Sequence, residues 1–240
     1  MSPLLQVAIN GSRAITDHPA IPRTPEELAK ESRAAVEAGA DVVHLHPYDP
    51  MGVESLLPRP CAAALQAVRA ACPGVPISLT TSAAIEGDPN RRLEAIAGWT
   101  ELPELVTANQ GEAGIRELCE QLIERGVGIE AGLLSRSDAA AFVRAGMADR
   151  CVRALIEPLD HDPEVAVAHA AAMEEVLADA GISLEQVHHG DGLASWAVTT
   201  RALIRGHGIR TGLEDTTVLP DGRPAADNAD LVRAAVAMLG

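Results

Sequence analysis

Aromatic side chains are nearly missing, with one Phe, one Tyr and two Trp among 240 residues. A core must therefore be packed from Ala, Val, Leu and Ile, which dominate the 47% hydrophobic content. Small side chains let helices lie close against a sheet, which suits a layered α/β architecture. Lysine is just as scarce: Lys30 stands alone, no Lys/Arg run occurs, and the formal net charge is −15. That balance excludes the basic stripe a nucleic-acid binder needs. It also means an anionic substrate must be met by local arginines. The four cysteines, Cys61, Cys72, Cys119 and Cys151, form no CxxC pair. Free buried thiols are expected, rather than disulfides or a structural zinc. No apolar run is long enough to span a bilayer, and the N-terminus MSPLLQVAING lacks a basic segment leading into an apolar one. These absences predict a cytoplasmic protein without a membrane partner.

What is present is alternation. Apolar runs at Leu4–Asn10, Asp41–Pro47, Pro76–Thr81, Glu104–Ala108, Val127–Ala131, Cys151–Ile156, Gln186–His189 and Gly208–Gly212 read as strands. Each is followed by a helical stretch: Thr24–Ala38, Cys61–Ala71, Asn90–Gly98, Gly111–Arg125, Ser135–Ala145, Asp162–Ala180, Leu193–Arg205 and Ala225–Leu239. Thr24-Pro25-Glu26-Glu27 carries a capping box with proline at the first helical position. Gly39, Gly126, Gly146 and Gly181 fall where a helix hands over to the next strand. Strict alternation allows an open doubly wound sheet or a closed barrel, and the count of eight favours a (β/α)8 TIM barrel. No composition break divides the chain, so residues 1–240 are expected to form one domain. In such a barrel chemistry gathers after the strands, at the C-terminal face.

The second strand ends His44-Leu45-His46. Side chains alternate along a strand, so both histidines share one face. Two neutral imidazoles there make half of a zinc, iron or manganese site. An HxH pair alone fits a hydrogen-bonded strand end equally well. The last strand adds Arg210, Glu214 and Asp215, and in a closed barrel that strand lies one position from the HxH strand. A carboxylate from this cluster completes a His2Glu set. Other strand ends are polar as well: Asn10, Ser12 and Arg13; Thr80, Thr81 and Ser82; Thr107, Asn109 and Glu112; Glu130; His188, His189 and Asp191.

The stretch TPEELAKESRAAVEAGADVVHLHPYDPMG resembles the signature of the β-keto acid cleavage enzymes. IRTGLEDT…NADLVRAA resembles that family's closing segment, with further likeness at INGS and VTAN. The resemblance implies a zinc-dependent (β/α)8 barrel whose metal is held by His44, His46 and Glu214. It implies condensation of a β-keto acid with acetyl-CoA, then cleavage to acetoacetate and a new acyl-CoA, in a homo-oligomer, commonly a tetramer. Carried over by position, Asp215 is the base, Arg210 orients it, and Glu130 anchors Arg210. The resemblance also places Thr80, Thr107 and Asn109 at positions that contact substrate in the family.

Three positions depart from the family pattern. Arg13 stands where the aminohexanoate-cleaving members carry a glutamate for the substrate's ammonium, which implies a neutral or anionic substrate here. Ser82-Ala83 replaces a glycine pair, which puts Ser82 close to substrate. LIEPLDHDP replaces a glycine-rich loop after the sixth strand. Two alternatives follow, a metal-dependent lyase or aldolase that uses no CoA, and a catalytically silent metabolite-binding barrel.

Overall fold

A computed structural model describes residues 3–239. Eight parallel strands close into a barrel in strict sequence order. They are β1 (Leu5–Ala8), β2 (Val42–Leu45), β3 (Ile77–Thr80), β4 (Leu105–Asn109), β5 (Gly128–Leu133), β6 (Arg153–Ile156), β7 (Glu185–His188) and β8 (Gly208–Thr211). The helices between and after them are α1 (Pro25–Ala38), α2 (Pro58–Ala71), α3 (Pro89–Ala97), α4 (Ile115–Glu124), α5 (Arg136–Ala145), α6 (Pro163–Asp179), α7 (Ser195–Ile204) and α8 (Asn228–Met238). β1 pairs with both β2 and β8, so the expected neighbourhood of the HxH strand and the Arg210 strand is present. Among the described residues no helix is long and apolar enough to cross a membrane. All four cysteines are free.

The elements form for the reasons the sequence suggests. Thr24 caps α1 in a reciprocal box with Glu27, and Asp88, Ser135, Asp162 and Asp227 cap α3, α5, α6 and α8 through their side-chain oxygens. Such caps satisfy helix-end N–H groups and contribute about 1 kcal/mol each. Outward-facing strand residues such as Val7, Val43, Leu45, Ile77, Leu79, Val106 and Ile129 meet the helices and are wholly buried. Several boundaries differ from expectation, as at α4, which begins at Ile115 rather than Gly111, and α8, which begins at Asn228 rather than Ala225. α2 begins at Pro58, because a proline at the first helical position starts a helix rather than ending one. β5 runs on to Leu133, which leaves Glu130 in mid-strand, below the barrel mouth.

The barrel interior is polar as well as apolar. Gln6 Nε2 reaches across from β1 to Glu130 Oε1 on β5 at 3.1 Å. Ser78 on β3 donates to Glu130 Oε2, and Arg153 on β6 lies 3.7 Å from Oε1. A buried carboxylate needs such partners to remain in place. His188 is placed differently. It pairs in register with Ile209, on the outer face of the barrel, and stacks on His207 at 4.5 Å. Burial, with His207 and Arg201 nearby, takes its pKa down to about 3, so it packs as a neutral ring. His189, the next residue, faces inward.

Candidate metal centre

Three of the expected residues converge at the mouth. Glu214 Oε2 lies 3.7 Å from His44 Nε2 and 3.7 Å from His46 Nε2. The three ligand atoms fall within 4.8 Å of one another. Tetrahedral bonds of about 2.0–2.2 Å place ligand atoms about 3.4 Å apart, so the Glu214 oxygen already stands near that spacing from each ring nitrogen. Glu214 Oε2 is buried without a hydrogen-bond partner, an arrangement that costs free energy unless a cation meets it. The donor set therefore fits a divalent ion and leaves coordination positions for a ligand.

The far nitrogens of both rings are pinned. His44 Nδ1 meets Ser78 Oγ at 3.0 Å and Thr107 Oγ1 at 3.3 Å. Because Ser78 Oγ donates to Glu130, it accepts from His44 Nδ1–H, which leaves the Nε2 lone pair facing Glu214. His46 Nδ1 is held by Glu54 Oε1 at 2.5 Å. Partners of this kind fix tautomer and ring orientation at metal sites. Burial and the Arg210 charge push His44 well below its ordinary pKa, which keeps it neutral. His46 is raised: burial opposes its charge, but Glu214 and Glu54 outweigh burial. The same two carboxylates attract any cation between the rings. Gly11, with φ 57°, makes room for Glu214, since a Cβ there would run into the Glu214 side chain.

Beside this triad, Arg210 is almost fully buried. Its Nη2 contacts Asp215 Oδ1 at 2.6 Å and Glu214 Oε1 at 3.0 Å, and its Nε contacts Asp215 Oδ2 at 3.2 Å. Burial works to raise the Asp215 carboxyl, but Arg210 and His189 hold it below its usual range. Glu214 is lowered in the same way, chiefly by Arg210 and His46 against burial. The expected Glu130–Arg210 pair does not form. Glu130 sits too deep, bound to Gln6, Ser78 and Thr107, and its link to the centre runs through Ser78 to His44. The third acid near Arg210 is Glu157, 3.8 Å away.

A cavity of about 410 Å³ opens over the triad, lined by Arg13, Thr80, Ser82, Thr107, Asn109 and Glu157 together with His44, His46, Arg210 and Glu214. All five expected substrate contacts are thus on one wall system. Asp215 is not on it. Arg13 bonds the Glu214 and Asp215 carbonyls through Nε (2.7 Å) and Nη2 (3.1 Å), and pairs with Asp191 at 3.0 Å. It is therefore a clamp on the Glu214–Asp215 segment, and its charge is shared. Glu54 and Glu157 were missed by sequence reasoning. Both lie in loops without periodicity, and only closure of the barrel brings them to the site.

The family model described as beta-keto acid cleavage enzyme matches residues 4–189 and 160–240. The chain belongs to the β-keto acid cleavage enzyme family. A 3-keto-5-aminohexanoate cleavage enzyme of Fusobacterium nucleatum is 26% identical over 260 residues, covering 97% of this chain and 89% of that protein. A 3-oxoadipate:acetyl-CoA acetyltransferase of Cupriavidus necator is 37% identical over 79 residues, 32% of this chain and 28% of that protein. The solved structure of ObcA with oxaloacetate superposes with a TM-score of 0.72 at 18% identity, over 90% of this chain and 62% of ObcA, a likeness of fold.

Proposed function

We propose that this member of the family is a zinc (Zn2+)-dependent enzyme that condenses a β-keto acid with acetyl-CoA. The adduct is then cleaved to acetoacetate and a new acyl-CoA. The observation that carries this reading is the unpartnered Glu214 oxygen facing two free histidine nitrogens beneath the cavity. The acetyltransferase relative supports acetyl-CoA as the co-substrate.

A bound divalent ion supplies Lewis acidity that acidifies the carbon between ketone and carboxylate. Asp215 is the base of the site, kept ionised and oriented by Arg210. Arg210 balances substrate charge within a strongly acidic protein. Thr80, Ser82, Thr107 and Asn109 supply polar contacts along the cavity wall, and Arg13 stands near its rim. Glu130 acts as a positioning residue, through Ser78 on His44.

A second reading, cleavage without CoA, is favoured by the segment LIEPLDHDP, which brings Glu157 rather than glycines to the cavity. One experiment separates the two. β-Keto acids are screened with and without acetyl-CoA, and acetoacetate and CoA esters are read by mass spectrometry. A new CoA ester supports the first reading, cleavage without acetyl-CoA supports the second, and no turnover of any β-keto acid contradicts both.

A further inference from the structure

Glu112 stands among the polar strand ends but takes no part in the chemistry above. It sits in the turn after β4, where its N–H donates to Asn109 O at 3.1 Å. Its two carboxylate oxygens face different partners. Oε2 pairs with Arg92 of α3, which is almost fully buried. Arg92 also donates to Thr81 O after β3 at 3.3 Å and to Ala113 O after β4 at 2.6 Å, so one guanidinium ties the two loops together. Oε1 accepts from Ala83 N at 3.0 Å and from Asn109 Nδ2 at 3.1 Å. A buried arginine needs a carboxylate beside it, and Oε2 already meets that need. The ion pair alone does not explain why Oε1 is spent on two groups at the cavity wall.

Asn109 lines the cavity, and so does Ser82, which is held in the chain between Thr81 and Ala83. An ionised carboxylate only accepts, so it dictates which end of the Asn109 amide faces it. Nδ2 turns to Glu112, and Oδ1 lies over Gly132 of β5, where a Cβ would run into it. Both ends of the amide are thereby set. We propose that Glu112, backed by Arg92, is a positioning residue that fixes the Asn109 amide and the Ser82 segment for substrate binding. This rests on the β-keto acid reading and deepens it, with Asp215 kept as the base and the metal triad unchanged. Glu112 and Arg92 touch no reacting atom. Their effect falls on how tightly the keto acid is held, and proton transfer is left to Asp215.

The test is deuterium exchange at C2 of acetoacetate in D2O, followed by NMR on zinc-loaded enzyme over a range of acetoacetate concentrations, which separates KM from kcat. Acetoacetate is a product of the proposed reaction and hence a ligand of the same site. In E112Q the side-chain oxygen is drawn to the buried Arg92, and the NH2 group then meets two donors, Asn109 Nδ2 and Ala83 N. KM should rise at least about tenfold, as for a lost hydrogen bond to a charged group. Metal content and kcat should stay within about threefold of wild type, the pattern of lost binding alone. A merely structural role would lower metal content and kcat together. E112D is the second variant. It keeps a charge for Arg92 but is too short to span both sets of partners, and the same rise in KM is expected. A KM that does not rise in a variant that holds its metal, or a kcat that falls as far as KM rises, overturns the positioning role while the β-keto acid reading stands. Loss of metal from both variants overturns it too, because the pair would then support the whole barrel. A wild type that exchanges acetoacetate no faster than the enzyme-free solution overturns both.

Discussion

Arg210 holds Glu214 and Asp215 with one guanidinium, so adjacent carboxylates share a cation yet differ in task. Glu214 turns an oxygen to the histidines, and Asp215 keeps both of its oxygens on Arg210 and beside His189. D215N should therefore retain metal and lose at least about a hundredfold in kcat, because an amide cannot take up the proton. Steady-state kinetics with metal analysis checks this, and a near-normal rate would remove Asp215 from the reaction. Arg13 belongs to the same scale. Its charge at the cavity rim disfavours a substrate ammonium, since like charges repel. A β-keto dicarboxylate should be preferred to 3-keto-5-aminohexanoate, and R13E should shift the kcat/KM ratio toward the amino substrate by at least about tenfold. Absolute rates should fall for both substrates, because the bonds to the Glu214 and Asp215 carbonyls are lost. An unchanged ratio would show that Asp191 has already taken up the Arg13 charge.

At the scale of elements, the α6–α7 face shows what periodicity does not reveal. Glu174 on α6 is held by Arg201 on α7, by Arg205 at the C-cap of that helix and by His207 just before β8. Burial works to raise its carboxyl, but hydrogen bonds from Arg205, Arg201 and His207 overcome it and take the pKa down to about 2. A carboxyl lowered on folding stabilises the protein above its unfolded pKa, and that stability is lost as pH falls through the folded value. E174Q should thus be less stable than wild type by about 2–3 kcal/mol at neutral pH. The gap should narrow as pH falls from about 4.5 toward about 2, as measured by urea unfolding across that range. A constant gap would mean the cluster acts by packing alone. The alternation of eight strands and helices was legible because caps and apolar runs are local signals. The direction of a side chain depends on register, which no local signal in the sequence carries. His188 and His189 look equivalent in sequence, yet one packs under the helices and the other faces the site. Glu130 looked like a strand end because Ala131-Gly132 breaks the apolar pattern, although the strand continues through both residues.

The whole barrel brings β8 beside β1 and thus Glu214 within reach of the HxH strand, a juxtaposition no local signal contains. Closure is what turned two weak motifs into one site, and Glu54 and Glu157 became visible only with it. At this scale we expect a homo-oligomer, as the family resemblance implies, and a monomer by light scattering would refute it. The metal is the property on which the rest depends. Elemental analysis of wild type, H44A and H46A bears on it most directly. About one divalent ion per chain is expected in wild type, because the three protein ligands close on a single point. Each variant should lose that ion or bind it far more weakly, since one ligand is gone and the partners that hold its ring no longer act. Full metal content in both variants would contradict the site described here.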